Sequence, residues 1–205
     1  GKRGGKYVER EVLLPEEGEV ILAVDLDQVD ARAVAGHCQD PSYMALFEPG
    51  KDLHSEIAEM VFGRSDGEWR DRAKALGHGF NYGMGPKGAS INEGIPLDIA
   101  TTFHQNMSER FPILDDWKQV VRAAASNGEL LDNGFGRKMR CDPERAYTQA
   151  PGLVGQGTTR VIMAEWILRL PEEIVPCLRT VVHDEIIFSV PEGEWESYRD
   201  AILDA

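Results

Sequence analysis

Two aspartates stand where a carboxylate is least expected, at the mouths of apolar runs: Asp25 follows Val20-Ile21-Leu22-Ala23-Val24, and Asp184 follows Thr180-Val181-Val182-His183. An ionised carboxylate at the end of a buried strand is costly unless a cation meets it. Taken singly, each could equally cap a helix or turn and face water. On neighbouring strands the two could share divalent metal. Magnesium suits such a pair, because it is usually bound by one or two carboxylates plus substrate phosphates and water. Two ions about 4 Å apart can activate an attacking hydroxyl and stabilise the leaving oxygen of an in-line phosphoryl displacement. In that chemistry the carboxylates act as ligands more than as proton carriers.

A second constellation lies between them. Arg70, Lys74, His78 and Tyr82 recur every four residues, which on a helix places all four along one stripe. Two cations one turn apart suit a triphosphate, and the ring beyond suits a base or sugar. A solvated basic face is the commoner meaning of such spacing alone. Gly77, Gly79 and Gly83 tip the balance, because a helical glycine costs about 1 kcal/mol and so points to close approach by something else, such as a template base.

The elements that must position these residues are legible in outline. Glu19–Asp25 reads as a buried strand, and Asp27–Cys38 as a helix. Asp52–Phe62 carries Leu53, Ile57, Met60 and Val61 on one face and is ended by Gly63, the pattern of an amphipathic helix. A helix over Trp69–Tyr82 is closed by Gly83-Met84-Gly85-Pro86, and two more follow at about Leu97–Arg110 and Leu114–Ser126. Glu129-Leu130-Leu131 pairs with Arg137–Arg140 across turn residues, a helix runs from about Leu153 to Leu170, and Leu178–Val182 and Ile186–Val190 form a hairpin with acids at its tip.

Composition sets bounds on this reading. The 205 residues, 42% hydrophobic and 28% charged, suffice for a sizeable core in one unit or two lobes. No apolar run approaches a membrane span, and Gly1-Lys2-Arg3-Gly4-Gly5-Lys6 lacks the apolar region of a secretory signal, so a soluble, cytoplasmic protein with no membrane partner is expected. Cys38, Cys141 and Cys177 are odd in number and not arranged as CxxC, which favours reduced structural thiols. The net charge of −13 opposes nucleic-acid binding unless charge is segregated. It is: acids crowd Glu9–Glu19, Glu192–Glu196 and Asp200–Asp204, whereas bases gather at Arg64–Lys74 and Arg137–Arg145.

At this point the residues resemble a known family. Asp25-Leu26-Asp27-Gln28-Val29-Asp30-Ala31-Arg32 is similar to motif A of family A, polymerase I-like DNA polymerases (DYSQIELR). Arg70-xxx-Lys74-xxx-His78-xxx-Tyr82-Gly83 is similar to motif B (RxxxKxxxFxxxYG), and Val182-His183-Asp184-Glu185 to motif C (VHDE). Between them, Asp52-Leu53-His54 with Val61-Phe62-Gly63 resembles the family's DIH…VFG segment, and Arg110-Phe111-Pro112 its RYP. Asn133-Gly134-Phe135-Gly136-Arg137 resembles the turn before its last core helix, and Gln156-Gly157-Thr158 its QGT. Any one motif is weak; the ordered set spans nearly the whole chain.

The resemblance implies an α+β fold, a polymerase palm with a small antiparallel sheet and a helical fingers lobe, divided as palm 1–50, fingers 51–113 and palm 114–205. It implies template-directed DNA synthesis from deoxynucleoside triphosphates (dNTPs) on primer-template DNA with two Mg2+ ions, Mn2+ being a possible substitute. Asp25, Asp184 and Glu185 take the catalytic positions, with Asp25, the Leu26 carbonyl and Asp184 as metal ligands. Gln28, Asp30, His54, Arg70, Lys74, His78 and Tyr82 take the dNTP positions, and Arg145, Gln149, Gln156 and His183 those contacting DNA. His78 stands at a Phe or Tyr position, Asp30 at that of the Glu that blocks ribose 2′-hydroxyls, Leu26-Asp27 at Tyr-Ser, and Asp71 at a second arginine, with about three extra residues between Pro151 and Gln156; a divergent, phage-type member acting in a bacterial or phage-infected cell fits. The chain starts just before motif A and ends soon after motif C, so a fragment or one half of a split polymerase is expected, working with an upstream thumb and exonuclease segment in cis or in trans. Two other readings remain: a non-catalytic primer-template binding subunit or remnant, and a magnesium-dependent phosphohydrolase, which leaves the Arg70–Tyr82 stripe without a purpose.

Overall fold

The computed structural model describes residues 13–205; the Gly/Lys-rich start, Gly1–Lys6, lies outside them. In chain order the elements are β1 (Glu19–Asp25), α1 (Val29–Cys38), α2 (Pro41–Met44), α3 (Leu53–Phe62), α4 (Gly67–Asn81), α5 (Pro86–Glu93), α6 (Leu97–Arg110), α7 (Pro112–Ser126), β2 (Leu130–Asp132), β3 (Lys138–Arg140), α8 (Ala146–Arg169), β4 (Leu178–Val182), β5 (Glu185–Pro191) and α9 (Trp195–Leu203). This is the α+β class expected. Asp30–Thr158 form one compact unit, and the segment up to Val29 with Thr159–Ala205 forms the other. Among the described residues no helix is long and apolar enough to cross a membrane, and the three cysteines are unbridged.

The second unit is built on an antiparallel sheet of order β1-β5-β4. Its β1–β5 register runs from Glu19↔Pro191 to Asp25↔Glu185. Ile186–Val190 are buried in the central strand, and Ile186, Phe188 and Val190 pack with Met163, Leu170, Ile174 and Ile202. Strand β1 is an edge strand, not the buried one its apolar run predicts. Only Val20, Leu22 and Val24 reach the core, while Ile21, Ala23 and Asp25 are exposed, the two-residue alternation of a strand covered on one face. Helix α9 was hidden in an acidic stretch; Trp166 Nε1 donates to Ile202 O at 2.9 Å, beneath which the Ile202 side chain is fully buried.

In the first unit, helices α3 to α7 surround Leu53, Ile57, Leu76, Phe103, Met107 and Leu114. Local signals set the ends of α3: Asp52 caps it by accepting from Ser55 N at 2.9 Å, and Gly63 closes it with φ 68°. Gly85-Pro86, which reads as a stop after α4, also starts α5, because proline at the first helical position has no N–H to lose. Helix α8 starts at Ala146, two turns earlier than its sequence pattern suggests, and runs through Pro151. An interior proline frees the carbonyl four residues back; here that carbonyl, Tyr147 O, accepts from Arg122 Nε at 3.0 Å. The β2–β3 turn is held from within by fully buried Asn133, whose Oδ1 accepts from Phe135 N and Arg137 N at 3.0 and 3.1 Å and whose Nδ2 donates to Gly157 O at 3.3 Å.

Asp40 ties this unit together. It is 2% exposed; Oδ1 accepts from Ser42 N and Tyr43 N at 3.0 and 3.1 Å, and Oδ2 from Ile113 N and Leu114 N at 3.2 and 3.3 Å. One carboxylate therefore satisfies the free N–H groups at the starts of both α2 and α7. Asp40→Ala strands four backbone donors, two buried and two part-buried, and is expected to lower unfolding stability by about 2–4 kcal/mol, read as a shift in urea midpoint. Asp40→Asn, which keeps an acceptor but loses the charge, should cost about half as much.

Candidate active site

The acid end of the sheet is assembled by hydrogen bonding. Strands β4 and β5 are joined by the two residues His183-Asp184, with Val182↔Glu185 closing the ladder. His183 adopts φ 58°, a left-handed conformation that His accepts more readily than most side chains, and this makes so short a connection possible. Leu26 N donates to Asp184 O at 3.0 Å, pinning the hairpin tip to the end of β1. Asp25 is thereby cross-strand neighbour to Glu185 and adjoins Asp184. Gln28, at φ 55°, donates to both oxygens of Asp27 at 3.1 and 3.4 Å, and the Leu26 carbonyl accepts from Val29 N at 3.3 Å, leaving one lone pair.

Carboxylates gathered at one edge repel unless a cation intervenes. Among the described residues no group of three or more His, Cys, Asp or Glu is placed to hold a metal ion. The Asp25 and Asp184 carboxylates and the Leu26 carbonyl, open to solvent on the Asp25 side, are hard oxygen donors of the kind magnesium takes when one or two carboxylates hold it with substrate phosphates and water.

In the other unit, Arg70, Lys74 and His78 lie along α4 and Tyr82 is its C-cap. Lys74 and His78 are exposed, Arg70 and Tyr82 half-buried. Arg70 donates from Nε and Nη2 to the two oxygens of Asp52, each at 2.8 Å, a fork that docks the first turns of α4 on the start of α3. His54 is two residues past Asp52, so the same contact brings His54 and Arg70 to one locality. Arg70 hydrogen bonds, with help from Ser55, hold the Asp52 carboxyl well below the usual carboxylate range, and Asp52 raises the Arg70 pKa in return. Asp30 lies in the first turn of α1.

Tyr82 stacks edge-on against His78, ring centroids 4.6 Å apart, and its ring lies on α8 where side chains are missing. A Cβ on Gly152 would stand 3.2 Å from Tyr82 Cδ1, and one on Gly155 3.4 Å from Cε1. Gln149 and Gln156 flank Gly152 along that helix face, and exposed Arg145 ends the short turn before α8. His183 is exposed at the hairpin tip. The glycines of α4 answer to the protein's own packing and not, as the sequence suggests, to an outside base. A Cβ on Gly77 would face Ile57 and Phe103, one on Gly79 would press within 3.2 Å of Met84 Sδ, and one on Gly83, at φ 82°, would meet Tyr147 O at 2.8 Å.

With this geometry in hand, comparison with known proteins is decisive. Residues 2–205 match the family model described as DNA polymerase family A. The chain belongs to DNA polymerase family A. It is 29% identical over 203 residues to "DNA polymerase I, thermostable" of Thermus filiformis, covering 91% of this chain and 24% of that one. It is 28% identical over 193 residues to "DNA polymerase" of Mycobacterium phage L5, covering 93% and 31%. The fold matches the POL domain of Pol1 from M. smegmatis, solved in complex with DNA primer-template and dNTP, with TM-score 0.83 at 24% identity over 95% of this chain and 38% of that one. The family A chain thus spans about a quarter to a third of the length of these curated relatives.

Three features of this family A chain are not legible in its sequence: Asp52 as the partner of Arg70, Gly152 and Gly155 as the floor under Tyr82, and the part-buried link between His37 Nε2 and Thr158 Oγ1 at 2.7 Å. Only Asp52 carried a local signal, as a helix cap. The lowered Asp52 pKa favours the folded state above the unfolded value, about pH 4, and that contribution is lost as pH falls through the folded value. Asparagine caps helices nearly as well, so Asp52→Asn isolates the ion pair. It is expected to cost about 0.5–1 kcal/mol at pH 7, a small figure because both side chains are over one-third exposed. In urea unfolding, the difference from wild type should shrink below about pH 4.

Proposed function

We propose that this chain carries the catalytic centre for template-directed DNA synthesis, in which a primer 3′-hydroxyl attacks the α-phosphorus of a bound dNTP and pyrophosphate leaves. The observation that carries the reading is the Leu26 N–H to Asp184 O bond within the β1–β5 register, which sets Asp25, Asp184 and Glu185 at one sheet edge. Family membership supports it, as do relatives bearing the name DNA polymerase. Asp25, Asp184 and the Leu26 carbonyl would hold two magnesium ions, or manganese in their place, whose chemistry is to make the attacking hydroxyl a better nucleophile and to neutralise charge on the phosphate.

The remaining roles are those the family resemblance implies, and the local geometry is compatible with them. Two of the five Arg70 donors go to Asp52; the other three, with Lys74 and His54, form the cationic grip for the triphosphate. Asp52 so acts as a positioning residue, holding the guanidinium plane before phosphate arrives. Tyr82, on its glycine floor, offers a ring face for the nascent base pair, with Gln149 and Gln156 as hydrogen-bonding flanks and Arg145 and His183 as contacts to the strands. Gln28, Asp30 and His78 take the positions that the family resemblance assigns to the sugar. In this reading residues 51–113 act as fingers, and 1–50 with 114–205 as palm.

Extension of a labelled primer-template by this chain with magnesium and all four dNTPs is the test. Asp184→Asn should reduce the extension rate by about 10³-fold, the scale on which losing charge stabilisation in a transition state is felt, with DNA affinity little changed. Saturable DNA binding without extension by the unaltered chain would replace this reading with that of a non-catalytic primer-template binder.

A further inference from the structure

Within the first unit, on the side of α4 that carries Phe80, lies a cavity of about 490 Å3 walled by α6, α7 and the start of α8. That volume falls in the range of small-molecule sites. One wall is apolar, from Phe80, Met84 and Tyr147; the other carries His104, Lys118 and Arg122. None of these six has a part in the polymerase reading above.

The charges do not balance. Lys118 is 2% exposed; its ammonium bonds Asp115 Oδ1 at 2.9 Å and lies 3.1 Å from the Phe80 ring centroid. Burial draws its pKa down to about 8 against the opposing hydrogen bond from Asp115. Burial also opposes ionisation of Asp115, but hydrogen bonds from Lys118 and Ser108 outweigh it and lower its pKa. The Arg122 charge lowers the Asp115 pKa as well, so one carboxylate stands against two cations and one positive charge is left over. Arg122 spends Nε on Tyr147 O and lies over the Tyr147 ring at 4.0 Å; among the described residues no carboxylate is within ion-pair distance of it. Beside it, His104 Nε2 is buried with no hydrogen-bond partner, a rare condition for a ring nitrogen, and burial lowers the His104 pKa to about 4. A space of this size, with one positive charge in excess shared by half-buried Arg122 and buried Lys118, an unsatisfied ring nitrogen and an aromatic wall, suits an anion joined to a flat, hydrogen-bonding ring.

We propose that this cavity binds a nucleoside monophosphate unit. Its phosphate meets Arg122 and Lys118, its base lies along Met84 and Tyr147, and its polar edge reaches His104 Nε2. The unit could be a free nucleotide or one residue of a single strand; the chemistry is shared.

Calorimetric titration of the full chain, without divalent metal, decides it. Deoxyadenosine 5′-monophosphate is expected to bind saturably, and deoxyadenosine, lacking the phosphate, at least about tenfold more weakly. Lys118→Met should weaken the monophosphate about tenfold or more, and so should Gln119→Glu, which places a negative charge at the exposed rim without touching the core and so gives an answer even if Lys118→Met does not fold. If the monophosphate displaces an oligothymidylate and Gln119→Glu weakens that strand too, the cavity takes strand residues; if the strand is indifferent, it takes free nucleotides. Failure of the monophosphate to bind, or binding untouched by Gln119→Glu, overturns the proposal. Primer extension does not enter this test, so the polymerase reading stands or falls separately.

Discussion

Antiparallel pairing of β1 with β5, in a register that sets Asp25 opposite Glu185, is the constraint on which the site depends. A strand has a side-chain period of two, so a slip of one residue would exchange its faces. Val20, Leu22 and Val24 prevent that slip because they must meet the core around Ile186, Phe188 and Val190. With those three turned inward, Asp25 has to point outward at the strand's end. Hydrophobic burial, which is non-directional, thus fixes the direction of a carboxylate, and the Leu26 N–H to Asp184 O bond completes the placement of the second.

The first unit solves a different problem, that of holding helix ends and close contacts in place. Asp40 supplies both helix starts it touches, Asp52 caps α3 and orients Arg70 in one gesture, and Arg122 takes the carbonyl that Pro151 sets free. In each case a polar side chain serves two backbone or charge demands at once. Such economy tempers a net charge of −13: acids placed as caps and partners are neutralised locally, so that in the proposed function Lys74 and the Arg70 donors not spent on Asp52 are available to an anion.

Legibility in the sequence followed the range of the interaction. Strands β1, β4 and β5 were readable because an apolar run stops abruptly at Asp25 and at His183-Asp184, and α3 because Asp52 and Gly63 mark its ends within a dozen residues. The ordered motifs around Asp25, Arg70 and Asp184 carried the family. What could not be read was set by partners distant in sequence. Edge placement of β1 depends on which strand takes the centre of the sheet, and the early start of α8 depends on Arg122 relieving a proline. The glycines of α4 mark packing against Ile57, Phe103 and Met84, contacts with no local signature. Helix α5 was lost for a simpler reason: Gly85-Pro86 is punctuation that both ends one helix and begins the next.

The central claim is that the edge formed by Asp25, Asp184 and Glu185 is where divalent metal binds. Paramagnetic broadening of backbone amide signals on titration with Mn2+ tests it directly, residue by residue. The account expects broadening centred on residues 25–27 and 183–185, abolished when Asp25 and Asp184 are both replaced by Asn with the rest of the spectrum intact. Broadening centred elsewhere, or persisting at those residues in the double variant, would contradict it.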